Sequence, residues 1–596
     1  MVSEGLRKFK VAVLLSLLVT QTTPAQPRSI DDFFRDFAAD WVRHDALLAT
    51  FTRYFAGEEQ DRLERQLTPQ RPIDKRDRIL RARRGLAELQ KLERSKMTEA
   101  QRVSADLMQW QLQIIVDGEP YLDYTFPMEQ FQGANVNLVN ALIIVHPLVT
   151  PRDAENYVAA LAQVGMRLQE AMTESQRLAG KGILPAKFIL QSTIEQMKRF
   201  TDGPPGQNPL VTVLGQKMQA IKEMPDARRK EVGAQAETIV SAQVYPAYRK
   251  AIALLESQLP RSTDDAGIWR LKGGSEAYAY FLRLFTTTNM TPDQIHELGL
   301  RQVESIERQM DEILRRLGRT EGSVKQRIEK LQADLTYPNP TSEQSRAQIM
   351  RDIDAILGDA QQRAALLFDK RPKARVIAQP YPDFQEANNA ARSVSPSPDG
   401  SRPGIFLYPR RLDWMTKFGL RSVTYHEAVP GHFFQGGLQI ENRDLPRFRQ
   451  LRLFGFISAS GEGWGLYAEH LAAESGWYEG DPEGLLGQLN FELFRARRLV
   501  VDTGIHAKHW TRQQAIDYGI EPSEVERYVV YPGQACSYMI GELKIIELRE
   551  RAKKALADKF SLKEFHNVVL DTGTVPLEIL ERQVNSYVRS KGGIVQ

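Results

Sequence analysis

"VTYHEAVPGHFFQ" spans Val423–Gln435 and carries His426, Glu427 and His432. The usual zinc-peptidase motif sets its two histidines four apart, one helical turn. Here they are six apart, with Pro430 and Gly431 between them. In an unbroken helix, residues six apart sit roughly 120° from each other and cannot chelate one ion. The surplus must be absorbed, or the segment is a helix end that carries two histidines. In the second case histidine suits the C-terminal dipole and Pro-Gly ends the helix. A π-type bulge would absorb one residue. Pro430 donates no N–H and drives its neighbour out of the helical region. Gly431 tolerates unusual dihedrals. "VPG" is therefore a composition that widens or breaks the turn and lets His432 swing back over His426.

If it does, the chemistry follows. Two imidazoles and a carboxylate leave Zn²⁺ an open position for water. The metal lowers the pKa of that water and polarises a scissile carbonyl. Glu427, beside His426, is the expected general base and later proton donor. The third ligand is sought on another helix. "SASGEGWGLYAEHLAAES" (458–475) offers Glu462 and Glu469, seven apart on one face. Gly461 and Gly463 flank Glu462 and would let a metal-bound backbone come close. Glu462 is the expected ligand and Glu469 the partner that orients a histidine. The plain alternative is an amphipathic helix with acidic surface residues.

The chain around these motifs has 596 residues, 42% hydrophobic and 26% charged, ordinary values for a globular protein. With 79 basic and 75 acidic residues the net charge is +4, so the balance does not point to nucleic acid. Cys536 is the single cysteine, which excludes an intramolecular disulfide and any CxxC metal site. Six of the nine histidines follow Arg421, which places the chemistry in the last third.

"LRKFKVAVLLSLLVTQTTPAQ" has a basic start, an apolar run from Val11 to Val19 and small residues ending near Ala25. This is the order of a secretory signal peptide. The run is shorter than the ~20 residues of a spanning helix, so no stable membrane insertion is expected once residues 1–25 are removed. No cysteine follows it, which argues against a lipid anchor. A periplasmic or secreted protein is expected.

The rest reads as mostly helical. "SIDDFFRDFAADWVRHDALLATF" has helical apolar spacing opened by Ser29. "DAENYVAALAQVGMRLQEAMTESQRLAGKG" is similar and stops at Gly180 and Gly182. In "TPDQIHELGLRQVESIERQMDEILRRLG" Thr291 caps, Pro292 opens, Gln294 completes a capping box and Gly318 ends the helix. "PYPDFQEANNAARSVSPSPDGSRPG" (380–404) reads as loop. "RVIAQ" before it and "GIFLYP" after it are β candidates, and an edge strand there could hold an extended peptide.

Taken together, "DFFRDFAADW", "YHEAVPGHFFQ", "SGEGWGLYAEHLA", "DTGIHAKHWTRQQAIDY", "RYVVYPGQACSYMIGELKI" and "FHNVVLDTGTVPLEIL" resemble the bacterial family catalogued as domain of unknown function 885. Its members are regarded as predicted zinc metallopeptidases related in architecture to thimet oligopeptidase and carboxypeptidase Taq. The resemblance implies a mainly α, zincin-like fold with a small β-sheet bordering a deep active-site channel. It implies metal ligands at His426, His432 and Glu462, with Glu427 catalytic. In the related oligopeptidases a His and a Tyr after the metal site serve the oxyanion, which assigns His506 and Tyr538 here. Arg527, with Tyr528 and Gln534, is the expected substrate-binding group, since a planar guanidinium suits a substrate carboxylate. Cys536 is expected to be a small core residue.

The expectation is a zinc-dependent peptidase acting on short peptides, with residues 26–375 forming a helical substrate-channel region and 376–596 the zinc-site catalytic region, packed as one unit. The same site would serve a metal-dependent amidase or another acyl hydrolase. A non-catalytic metal-binding scaffold is the reading from outside enzymes.

Overall fold

Local sequence rules account for the first helix. Ile30–Arg43 places Ile30, Phe33, Phe34, Phe37, Ala38, Trp41 and Val42 on one buried stripe, and the Ser29 hydroxyl caps its start. The structure is a computed structural model, and it describes residues 29–381, 386, 390–397 and 402–595. The signal-peptide expectation lies outside the described residues. The chain is mainly α.

The aromatic stripe of that first helix packs far along the chain. Phe37 stacks on Phe454 at 5.7 Å, Trp41 meets Phe454 edge-on at 5.2 Å, and Phe34 meets Phe448 at 5.1 Å. The N-terminal helix is thereby sealed onto the region that carries the motifs. A second core is built from residues between Leu67 and Leu255.

Helices important for the site are labelled in chain order. They are α1 (Pro292–Arg316), α2 (Leu420–Glu427), α3 (His432–Glu441), α4 (Ser458–Glu474), α5 (Pro482–Ala507), α6 (Pro522–Val530) and α7 (Ser537–Leu556). Helix α1 has the expected capping box of Thr291 and Gln294. The 151–180 stretch forms two helices, Pro151–Leu161 and Val164–Gly180, where its periodicity suggests one.

Helices α4 and α7 cross backbone to backbone. A Cβ on Gly463 would lie 2.5 Å from Gly541 Cα, and one on Gly541 only 1.9 Å from the Ala459 carbonyl oxygen. Only glycine permits that approach, so "SGEGWG" and "YMIGE" are a matched pair of grooves.

Among the described residues the small sheet is three-stranded: β1 (Val376–Pro380), β2 (Arg392–Val394) and β3 (Gly404–Tyr408), in the order β1-β3-β2. β1 runs parallel to β3, and β2 antiparallel to it. β1 and β3 match the two β candidates. β2 lies inside the stretch read as loop. Three residues between turn formers carry too short an alternation to register as a strand, and pairing with β3 supplies what local propensity lacks.

Candidate metal centre

The six-residue spacing is resolved by a break, where a π-type bulge was one expectation. Helix α2 ends at Glu427, Ala428 leaves the helical region at φ −113°, ψ −91°, and α3 begins at His432. The Val429–Pro430 peptide is cis. The turn is fastened twice: Phe434 N–H donates to the Ala428 carbonyl at 3.2 Å, and the Trp464 indole N–H donates to the Pro430 carbonyl at 2.9 Å. Gly431 presses on the end of α2, where a Cβ would lie 1.9 Å from the His426 carbonyl oxygen. His426 and His432 therefore face each other from two helices, ring centroids 4.6 Å apart at 84°.

Glu462, on α4, closes the set. Its Oε2 lies 3.7 Å from His426 Nε2 and 3.2 Å from His432 Nε2. Glu427 also faces the pair, with ligand atoms of His426, Glu427 and His432 all within 4.8 Å of one another. Glu469, seven residues beyond Glu462 on the same helix, accepts from His426 Nδ1 at 2.7 Å. Ser422 donates to its other oxygen, and Arg495 lies 3.6 Å away. With Nδ1 committed to Glu469, Nε2 of His426 faces the cluster.

Charges follow this arrangement. Burial alone would lower the His426 pKa, but the facing Glu462 and Glu469 carboxylates outweigh it and hold the imidazole up at about 9. For Glu462, burial acts upward, while His432 and His426 pull the carboxyl well below the usual range. Glu469 is lowered too, with Arg495 and His426 overcoming its burial. Glu427 differs: burial dominates and its carboxyl is raised. Two carboxylates are thus fixed as anions and one is the more basic.

The glycines of "SGEGWG" do not bring backbone to the His426–His432–Glu462 cluster. Gly461 faces the Phe456 ring and Gly463 faces Gly541, while Gly465 lies under His426. A Cβ at Gly465 would come within 2.7 Å of Cε1 and 2.9 Å of Nε2 of that ring. Gly465→Ala is expected to push the imidazole off Glu469 and, for a metal held by this cluster, to weaken binding by about 10- to 100-fold, the usual cost of losing an orienting partner. Competition against a chromogenic chelator measures this.

The cluster opens into a cavity of about 830 Å³, the size of a small-ligand or short-peptide site. His426, Glu427, His432 and Glu462 line it, as do Arg527 and Tyr538. The sheet borders it through Arg392 and Ser393 of edge strand β2. Arg527 is already engaged: it donates to Glu524 at 3.0 Å and to Gln534 at 2.7 Å.

Three expected residues stand back from the cavity. His506 does not reach it. Its Nδ1 accepts from the Ile268 N–H at 3.1 Å and its Nε2 pairs with the Tyr528 carbonyl at 3.0 Å. Burial lowers it to about 4, so it is a neutral, fully paired core histidine, and its assignment as an oxyanion donor is corrected. Tyr528 is buried with its hydroxyl on Arg498 Nε at 3.0 Å, and Gln534 bridges Arg527 and Ser458. These two shape the wall from behind.

The sequence reading missed Arg498. It lines the cavity, packs over Phe494 at 4.3 Å and Tyr538 at 4.5 Å, and donates to Glu524. The signal was present as "FRARRLVV": arginines interleaved with apolar residues in a helix that could not leave them all in water.

His566 shows how a histidine is used away from the site. Nδ1 pairs with the Leu367 carbonyl and Nε2 with the Tyr467 hydroxyl, both at 2.9 Å, and Phe368 stacks on the ring. Burial lowers its pKa to about 4. Because the folded value lies below the ordinary 6.5, its contribution is complete above pH 6.5 and is lost as pH falls toward 4. The loss is on the order of 3 kcal/mol. Urea unfolding at pH 7 and pH 4.5 should show His566→Gln losing less stability across that interval than wild type.

The family model for "Bacterial protein of unknown function (DUF885)" matches residues 51–584, and the chain belongs to that family. Among solved structures, one described as "the putative lipoprotein from Colwellia psychrerythraea" is 31% identical, with a TM-score of 0.87, covering 94% of this chain and 99% of that one. Another, "a putative lipoprotein of unknown function from Shewanella oneidensis", shares the fold at a TM-score of 0.67 and 17% identity, covering 93% and 99%. No curated protein matches the chain.

Proposed function

We propose that this protein is a zinc-dependent metallopeptidase that hydrolyses peptide bonds in short peptides. One observation carries the reading: two imidazole Nε2 atoms from separate helices converge on one Glu462 oxygen, beside a second, more basic carboxylate, in an open cavity. The donor set fits zinc in number and chemistry. His426, His432 and Glu462 would hold the ion. When bound, zinc supplies Lewis acidity toward a carbonyl and toward water.

The chain's own residues do the rest. Glu427 takes the proton of the attacking water at its carboxylate and returns it to the leaving nitrogen. Glu469 keeps Nδ1–H of His426 in place, so the ring neither rotates nor changes tautomer. Tyr538 is the group on the wall suited to donate to the developing oxyanion. Edge strand β2, which borders the cavity, is suited to align an extended peptide. Arg527 and Arg498 give the far wall its positive charge, suited to a substrate carboxylate.

The setting we infer is outside the cytoplasm, periplasmic or secreted. The N-terminal "LRKFKVAVLLSLLVTQTTPAQ" supports it, as does the 31% identical neighbour described as a "putative lipoprotein". No helix among the described residues is long and apolar enough to cross a membrane.

A mixed library of short peptides, read by mass spectrometry, tests the activity. Cleavage that stops with a chelator and returns with added zinc is expected. A library unchanged by the zinc-loaded protein would overturn the peptidase reading and turn attention to other amide and acyl substrates.

A further inference from the structure

Helix α4 has a second chemical face. Glu469 points to His426, and the next residue, His470, points the other way. There it meets Glu492 from α5 and Glu542 from α7, with ligand atoms of all three within 4.8 Å of one another. His470 Nδ1 lies 3.8 Å from Glu542 Oε1. Its other nitrogen, Nε2, is held by Glu474 at 3.0 Å, and Glu474 is itself clamped by Arg549 at 2.6 and 3.0 Å. This repeats the logic of the first centre: one ring nitrogen fixed by a carboxylate, the other aimed at a carboxylate cluster.

Glu542 makes the arrangement more than a group of acids. It is completely buried, and neither carboxylate oxygen takes a hydrogen bond from any described residue. A buried carboxylate left without donors is costly. The nearby arginines are engaged elsewhere, Arg495 beside Glu469 and Arg549 on Glu474. Glu492 has one oxygen held by Gln488 Nε2 at 2.8 Å. Two carboxylates and one imidazole from three helices therefore surround a point where Glu542 meets no donor among the described residues.

We propose that His470, Glu492 and Glu542 form a second divalent-cation site, distinct from the centre at His426, His432 and Glu462. One imidazole and two carboxylates suit zinc or manganese. His470 and Glu492 are only half-buried, which gives an ion a way in. An ion there pins α4, α5 and α7 together directly behind the residue that orients His426. Its role is to stiffen that wall. Without the ion, burial and the facing Glu492 and Glu469 push the Glu542 carboxyl well up.

The test uses the full-length protein stripped with chelator, dialysed against Zn²⁺ alone or Mn²⁺ alone, and measured by elemental analysis. Wild type, Glu542→Gln, His470→Gln and His432→Ala are compared. Wild type should hold one equivalent more than Glu542→Gln and one more than His470→Gln. A double variant, His432→Ala with Glu542→Gln, should hold one fewer than either single variant. Zn²⁺ should also raise the Tm of wild type more than that of Glu542→Gln. In chelator the two should melt together or the variant higher, which shows that the amide folds. Equal metal content in wild type, Glu542→Gln and His470→Gln overturns the proposal, and Glu542 is then a protonated core acid. That outcome is independent of whether His432→Ala loses its own equivalent, so this site and the proposed catalytic centre fail separately.

Discussion

Replacing Glu427 with glutamine is expected to lower peptide hydrolysis by roughly 10²- to 10⁴-fold, the usual contribution of a positioned acid–base group, and to leave the bound metal unchanged. Glutamine keeps the volume and the hydrogen-bond reach of the carboxylate but cannot take a proton. Glu427 is the last residue of α2 and faces the cavity, within reach of both histidines. It differs from Glu462 in the direction of its shift: burial raises Glu427, whereas the two imidazoles hold Glu462 low. On the proposed reading, environment divides the pair into a base and a ligand. Kinetics on a cleaved library peptide, with elemental analysis of the same sample, check the prediction. A variant that loses metal as well as turnover would make Glu427 a ligand.

Glu469→Ala is the second large effect. Glu469 is fully buried and joins Ser422, His426 and Arg495. Removing it leaves the Arg495 guanidinium without that anion and frees Nδ1 of His426. Breaking a buried charged group in this way costs about 3–5 kcal/mol, and losing the orienting carboxylate weakens metal binding by about 10- to 100-fold. Both should appear together, as a shifted urea midpoint and a weaker zinc affinity. Glu469→Gln should recover part of the stability, because an amide oxygen still accepts from Nδ1. If alanine changes neither quantity, His426 is held by packing alone.

Much of this site was legible before any coordinates. His426, Glu427, His432 and Glu462 are reactive residue types at spacings that a local rule can interpret, and the structure gathers them into one cavity. Pro430 and Gly431 signalled a break, since one removes a donor and the other admits close approach. Glu469 followed from the seven-residue helical interval. What could not be read depended on distant partners. His506 was assigned by resemblance to oligopeptidases that use a histidine after the metal site, and only the Ile268 and Tyr528 main chains show that both its nitrogens are used. Strand β2 has three residues and gains its identity from β3. The roles of Gly461 and Gly463 were misassigned because a glycine pattern records close approach without saying to what: here, to Phe456 and to α7. Arg498 escaped notice because a charged run reads as solvated surface unless its apolar spacing is weighed.

The central claim is that the broken turn brings His432 onto the same ion as His426. The most direct measurement is the zinc content of purified His432→Ala beside wild type, with cleavage of the peptide library followed in the same two samples. The account predicts that the variant holds one equivalent of zinc fewer and loses cleavage with it. Equal zinc in both proteins would contradict the account and leave "VTYHEAVPGHFFQ" as two helix ends that meet without a metal.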